Sequence, residues 1–416
     1  MSMNDFFYDA LEARDPALRE QAQMQALDRQ VRHARSNTQA FAELLADAPD
    51  QVNSRELLAR LPVTRKSELL ARQQAHRSRD AFGGFSAIAW GAARRVFQSP
   101  GTIYEPEGSR PDYWRVARAL HAAGFRAGEL LHNSFSYHLT PAGSLMETGA
   151  HAIGCTVFPG GVGNTELQLQ AMAELRPQGY VGTPSFLKIL LDKAAEAGQP
   201  LSVVKALVSG EAFPPSLRDW LLERGVTGYQ CYATADIGLI AYETPAREGL
   251  VIDEGVIVEI VRPGTGDPVP EGEVGELVVT SLNPDYPLIR FGTGDLSAML
   301  PGHCPTGRTN GRIKGWMGRA DQSAKVRGMF VHANQVAEIG KRLPELGRLR
   351  LVVEGEMASD RLTLKAELAA PAPEGLQARV VEAVRDITKL RAEVQFLAPG
   401  SLPNDGRVIE DARSYA

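Results

Sequence analysis

Three absences bound this chain before any motif is read. Its 416 residues hold only three cysteines, Cys155, Cys231 and Cys304, far apart and odd in number. A disulfide framework is therefore not its organising device, and a reducing compartment is expected. No stretch approaches the roughly 20 consecutive apolar residues that cross a bilayer. The formal net charge is only −5, which offers nucleic-acid phosphates or an anionic membrane no global attraction. The opening MSMNDFF meets Asp5 early and lacks the basic and apolar segments of a secretory signal. A cytoplasmic protein without nucleic-acid or membrane partners is the expectation. Internal repeats and low-complexity tracts are also missing.

What is present is the composition of an ordinary globular protein, 44% hydrophobic and 23% charged. The length suits two or three domains. Helical spacing runs from Asp15 to about Leu45 and returns in RELLARL and, after Pro62, in KSELLARQQ. After Phe85, short β-branched or aromatic runs (RRVFQS, GCTVFPG, GYVGT, VKALVSG) alternate with helical segments (YWRVARALHAAG, TELQLQAMAEL, SFLKILLDKAAEAG). That alternation predicts an α/β fold with a parallel sheet covered by helices. From Gly249 to Arg290 strand follows strand, with GVIVEIVRPGTGDPVPEGEVGELVVTSL reading as two strands around a Pro/Gly turn. Beyond GRADQSAKVRG comes a β-α-β-β-α-β order of about a hundred residues, a compact α+β domain. The predicted division is 1–319, with a helical start over 1–80 and a β-rich part over about 249–319, followed by 320–416.

In PLIRFGTGDLSAML, Asp295 follows Gly292, Thr293 and Gly294 at the end of a strand. Glycines admit close approach of another molecule, and a carboxylate beyond them can accept two hydrogen bonds from a ribose diol. Taken alone, a turn with a capping Asp explains it as well. Further on, Arg319, Asp321, Lys325, Arg327 and Gly328 crowd into GRADQSAKVRG, which by spacing alone is equally a solvated turn.

Together the two segments resemble the ribose-binding and hinge motifs of adenylate-forming acyl-CoA ligases, in the phenylacetate-coenzyme A ligase branch. The resemblance begins at LARLPVTRKSELL and continues in family order through HNSFSYHLTPAG, FPGGVGNTELQLQ, VGTPSFLKIL, VSGEAFPPSLR and CYATADIG. It implies that Asp295 binds the ATP ribose with help from Arg319, that Asp321 is the hinge of a mobile C-terminal domain, and that Lys325 lies near the domain interface. In CYATADIG it places Tyr232, with Ala233 and Thr234, against adenine, where an aromatic face gains stacking energy. Asp236 stands for the glutamate that helps to hold Mg2+, and Asp is also a hard oxygen ligand. Ser209, Gly210, Glu211 and Ala212 would line the adenine pocket. Phe135, Tyr137, Gly182, Thr183 and Pro184 would line the acid pocket. A core tyrosine at 232, a helix cap at Glu211 and plain core aromatics remain open alternatives.

Departures from the family pattern carry their own expectations. QSPGTIYEPEG aligns with the loop that cradles the ATP phosphates. Ser99, Gly101, Thr102 and Pro106 match it, whereas Tyr104 replaces a glycine and Glu105 the lysine. A carboxylate there repels polyphosphate unless the loop points it away or metal ions intervene. After Lys389 there is no lysine, so Arg407 is the candidate for the catalytic C-terminal cation, with an exposed tail arginine as the alternative. Some relatives hold zinc; here Cys304 stands with Thr244, Val251 and Thr306 at the other ligand places, so no structural zinc is expected, and His303 reads as a surface residue.

The implied activity is AMP-forming ligation of an aromatic or arylacetic acid to coenzyme A, with ATP, Mg2+ and coenzyme A required and a homodimer open. An adenylating enzyme with a carrier thiol or amine acceptor is one alternative, and a degenerate nucleotide- or acid-binding homologue another. A nicotinamide site at FPGGVGNTELQ fails because Glu166 sits where the third glycine is needed.

Overall fold

The computed structural model describes residues 6–99, 101–262, 266–320, 323–327, 329–355, 360–403 and 408–413. The chain divides into two compact units, Met1–Gly318 and Arg319–Ala416.

In the first unit, Asp15 caps the helix Pro16–Asn37 by accepting from the amides of Ala17 and Leu18, and Pro16 opens it without wasting a donor. Its buried face, Leu27, Val31 and Ala34, packs into a core that also holds Phe41 and Phe85 in edge contact. The main sheet has nine strands. In spatial order they are Met299–Leu300, Arg312–Ile313, Leu250–Ile252, Gly238–Glu243, Thr227–Thr234, Lys205–Val208, Gly179–Gly182, Leu130–Asn133 and Thr156–Pro159. The last five are mutually parallel, and the pairings from Thr227–Thr234 outward to Met299–Leu300 are antiparallel. The predicted parallel sheet is thus half of a mixed one. Central strands such as Gly179–Gly182 are buried throughout because both faces are covered.

One strand reading is corrected by the sheet, and one strand is added to it. RRVFQS does not join the parallel set; Arg95–Ser99 forms an antiparallel hairpin with Ile103–Glu107. Leu130–Asn133, too short to stand out in the sequence, lies between Thr156–Pro159 and Gly179–Gly182. The chain reverses its direction of travel across the sheet there, and a crevice opens beyond the strand ends at such a point.

A second sheet places Thr64–Arg65 parallel to Phe291–Ser297, which pairs with Gly275–Ser281 and then Val256–Val261. Arg290, 1% exposed, fastens this arrangement. Its guanidinium pairs with both oxygens of Glu259 at 3.0 Å and donates to the carbonyls of Ala59, Leu61 and Gly266. The segment leading to Lys66 is thereby held against the strand that carries Asp295.

The second unit contains a hairpin, Ser323–Val326 with Met329–His332, and a four-stranded sheet ordered Glu393–Leu397, Arg361–Glu367, Leu349–Glu354, Ile409–Asp411. Helices Ala333–Arg342 and Leu376–Thr388 supply Val336, Ile339, Val380 and Val384 to its core. Ile409–Asp411, read as tail in the sequence, is an edge strand parallel to Leu349–Glu354.

Candidate active site

Successive parallel strands deliver the candidate residues at their carboxyl ends. Leu130–Asn133 leads into Ser134, Phe135 and Tyr137, and Gly179–Gly182 into Thr183 and Pro184. Pro184 starts the helix Pro184–Glu196, where its missing N–H costs nothing. Asn133 donates to the Tyr137 hydroxyl at 2.8 Å and to the Gly143 carbonyl at 2.9 Å. Ser134 donates to the Tyr180 hydroxyl at 2.6 Å, which in turn donates to the Thr183 carbonyl. A side chain at Gly182 would collide with Ser134 Oγ and Tyr180 Oη, so only glycine fits. Phe135 is buried and Tyr137 half-buried.

The neighbouring glycine loop is fixed from below. His132 Nε2 lies 2.7 Å from Gln168 Oε1, while the Gln168 amide donates to the carbonyls of Gly161 and Gly163. The amide orientation makes His132 the donor, and burial pushes its pKa down. FPGGVGNTELQ is therefore a braced turn.

Lys205–Val208 ends in Ser209, whose hydroxyl donates to the Cys231 carbonyl at 2.9 Å. Gly210 and Glu211 are exposed and Ala212 half-buried. Glu211 does not cap the helix Pro215–Glu223, whose N-cap is Pro214 without a side-chain bond. On Thr227–Thr234, Tyr232 and Ala233 are half-buried, and Thr234 Oγ1 accepts from the Ile237 amide.

Asp295 comes from the other sheet and meets Tyr232. The Tyr232 hydroxyl donates to Asp295 Oδ2 at 2.6 Å across 63 residues of sequence, and Trp316 Nε1 donates to Oδ1 at 3.1 Å. The carboxylate is half-buried and faces polar partners, not packed hydrocarbon.

The hairpin of Arg95–Ser99 and Ile103–Glu107 turns through Gly101 and Thr102, both at positive φ (99° and 64°). The sequence left open where Glu105 would point. It points inward, 0% exposed, and its Oε1 accepts from Ser99 Oγ at 2.6 Å. The nearby Asp236 has its Oδ2 accepting from Lys66 Nζ at 2.8 Å. Glu105 Oε2 and Asp236 Oδ1 receive no hydrogen bond from any described residue. Burial, then the Asp236 charge, drive the Glu105 pKa well above the usual carboxylate range. Both effects act on the buried Tyr286 hydroxyl beside them, raising it too.

Two further candidates belong to the second unit. In the second unit, the Arg319 guanidinium sits over the Phe330 ring at 5.4 Å, and Lys325 lies half-buried on the hairpin, its carbonyl accepting from Arg413. Asp321 and Arg407 lie outside the described residues. At the zinc-related positions, Cys304 Sγ contacts the hydroxyls of Thr244 at 3.2 Å and Thr306 at 3.1 Å, with His303 exposed beside them. Lys66 and Trp316 were not singled out as site residues by sequence reasoning. Lys66 was visible only as the last residue of LPVTRK, and Trp316 gave no signal, because its role needs Asp295 opposite it.

Residues 136–283 match the AMP-binding enzyme family. A phenylacetate-coenzyme A ligase of Thermus thermophilus is 31% identical over 92% of this chain and 93% of its own length. The enzyme of that name from Escherichia coli K12 is 28% identical over 83% and 82%. The fold is also that of a 2-hydroxyisobutyryl-CoA ligase crystallised with 2-HIB-AMP and CoA, with TM-score 0.84 and 24% identity over 100% of this chain and 94% of that one. Identity at this level, sustained over almost all of both chains, means that the chain belongs to the phenylacetate-coenzyme A ligase family of AMP-binding enzymes.

Proposed function

We propose that the protein is an AMP-forming ligase that couples an aromatic or arylacetic acid to coenzyme A through an acyl-adenylate. The observation that carries the reading is the meeting of Asp295 with Tyr232 beside the carboxyl ends of the parallel strands. It sets a diol acceptor next to an aromatic face, the two features a nucleoside requires. Ser209 to Ala212 would form the adenine wall. Phe135, Tyr137 and Gly182 to Pro184 would enclose the acid, with Gly182 leaving room where a side chain would intrude.

In the first half-reaction an oxygen of the acid attacks the α-phosphorus of ATP and pyrophosphate leaves. In the second the coenzyme A thiol attacks the acyl carbonyl, AMP departs, and the thiol proton is released. Arg407 is proposed to offset charge in the first step, and rotation about Asp321 to bring in the thiol for the second. Mg2+ is expected with ATP, and the residues fit it: Asp236 Oδ1 and Glu105 Oε2 are hard acceptors with no donor among the described residues. Bound there, the ion would neutralise phosphate charge.

The test is incubation of the full-length protein with ATP, Mg2+, coenzyme A and a panel of aromatic and arylacetic acids. Acid-dependent pyrophosphate release and thioester formation are expected. Acyl-AMP without thioester would point to a carrier thiol or amine acceptor, and ATP binding without pyrophosphate release from any acid would refute the reading.

A further inference from the structure

Glu107 pairs with Arg95 at the end of the hairpin Arg95–Ser99 and Ile103–Glu107 that lies farthest from its turn. The side chain is 0% exposed. Its Oε1 accepts from Arg95 Nη1 at 2.6 Å, and its Oε2 accepts from Ser144 Oγ at 2.6 Å and from Trp114 Nε1 at 2.7 Å. A buried carboxylate met by one cation and two neutral donors holds its partners firmly, because loss of any of them leaves charge poorly compensated. Ser144 is the informative partner. It lies on the helix Ala142–Ala152, which follows the loop carrying Phe135 and Tyr137. Arg95 Nη1 also donates to Ser144 Oγ at 2.8 Å, and Arg95 Nη2 lies 3.8 Å from Glu147, one turn along the same helix face. The backbone repeats the link, for the Gln98 amide donates to the Leu139 carbonyl at 2.7 Å.

We propose that Glu107 is a positioning residue for the acid pocket, acting through Ser144 to set the place of Tyr137. The inference rests on the ligase reading, which puts Tyr137 against the acid. Gly143, the residue before Ser144, donates its amide to the Ser136 carbonyl at 2.9 Å, and its carbonyl accepts from Asn133 at 2.9 Å. It is pressed against the Tyr137 ring: a Cβ at 143 would stand 2.9 Å from the ring carbons Cγ and Cδ2. The start of this helix therefore fixes one end of the ring, while Asn133 holds the hydroxyl end at 2.8 Å. Glu107 pins the helix start from the hairpin side. Without the Ser144 bond the helix start gains freedom, the Tyr137 ring follows it, and the acid is held less well. A misplacement of about 1 Å caused far from the chemistry can cost roughly 10²-fold in rate. Tyr232 and Asp295 meet through a separate bond, so the nucleotide should feel little of this. A hairpin whose turn resembles a phosphate loop thus has a second duty at its other end, toward the acid.

The test is steady-state kinetics of the full-length wild type, Ser144→Ala, Glu107→Ala and the double variant, with ATP, Mg2+, coenzyme A and an aromatic acid that the wild type activates, read by pyrophosphate release. Ser144→Ala leaves Arg95 and Trp114 on Glu107, so its circular dichroism should match the wild type. Its KM for the acid is expected to rise at least fivefold, while its KM for ATP stays within twofold. A merely structural defect would shrink the active fraction, lowering kcat and leaving both KM values alone. Because the hydroxyl acts through Glu107, adding Ser144→Ala to Glu107→Ala should raise the acid KM by less than a further twofold. A rise below fivefold in Ser144→Ala overturns the proposal, as does an equal rise in the KM for ATP, or a Ser144→Ala effect that persists in full beside Glu107→Ala. Should Glu107→Ala fail to fold, the two KM values of Ser144→Ala decide. A wild type that releases pyrophosphate with no acid in the panel overturns the ligase reading and this inference with it, whereas an active wild type with an unaltered Ser144→Ala loses only the inference.

Discussion

Replacing Asp295 by asparagine tests the nucleotide site with little disturbance to the fold. The side chain is half-exposed and accepts from the Tyr232 hydroxyl at 2.6 Å and Trp316 Nε1 at 3.1 Å. Asparagine keeps the shape and one acceptor oxygen. It loses the charge and offers a donor where a ribose hydroxyl also donates. A hydrogen bond to a charged group contributes about 1.5–3 kcal/mol, so ATP should bind roughly 10- to 100-fold more weakly. Stability should change by less than about 1 kcal/mol, because no buried group is stranded. Calorimetric titration with ATP and with 2′,3′-dideoxy-ATP separates a ribose contact from an indirect effect. The wild type should prefer ATP by about the factor that the variant loses, and the variant should discriminate little. An Asp295→Asn protein that binds ATP within threefold of wild type, or discriminates as the wild type does, would refute the ribose assignment.

Lys66→Met removes the cation from the buried Asp236 and Glu105; a loss of about 3–5 kcal/mol is expected in denaturant melts with EDTA, largely restored by adding Asp236→Asn. No restoration would show that the two residues do not act as a pair. Gly182→Ala forces a methyl group onto Ser134 Oγ and Tyr180 Oη, and should cost about 1–3 kcal/mol and impair acid activation; a wild-type melt with normal acid dependence would contradict the packing argument. Asp112 has its pKa raised from 3.8 to about 7, chiefly by burial. Its folded form therefore binds a proton that the unfolded chain has released, and the stability it contributes is full below about pH 4 and lost as pH rises to 7. Asp112→Asn should flatten the wild-type decline over that window, worth roughly 4 kcal/mol at most, as followed by urea midpoints at several pH values. An unchanged slope would count against it.

Local pattern made much of this protein legible. Helical spacing placed Lys66–His76, Thr165–Leu175 and Pro184–Glu196, and the Pro/Gly turn placed Val256–Val261 against Gly275–Ser281. These elements depend on neighbours a few residues apart, through side-chain period and turn chemistry, and one chain carries that information in order. Asp295 stood out because glycines and a carboxylate occur together in a long motif.

Partnership was not legible in the same way. Four residues of Leu130–Asn133 look no different from any short apolar run, yet their position between two parallel strands sets where the chain reverses its course across the sheet. Whether Glu105 repels phosphate or turns away depends on a hairpin that buries it against Asp236, and on a lysine 170 residues from that aspartate. Which residue types occur, and in what periodicity, was set along the chain. Which charges share one dry space was decided only when two sheets packed together, because electrostatic energy depends on distance and burial, and neither is written in sequence spacing.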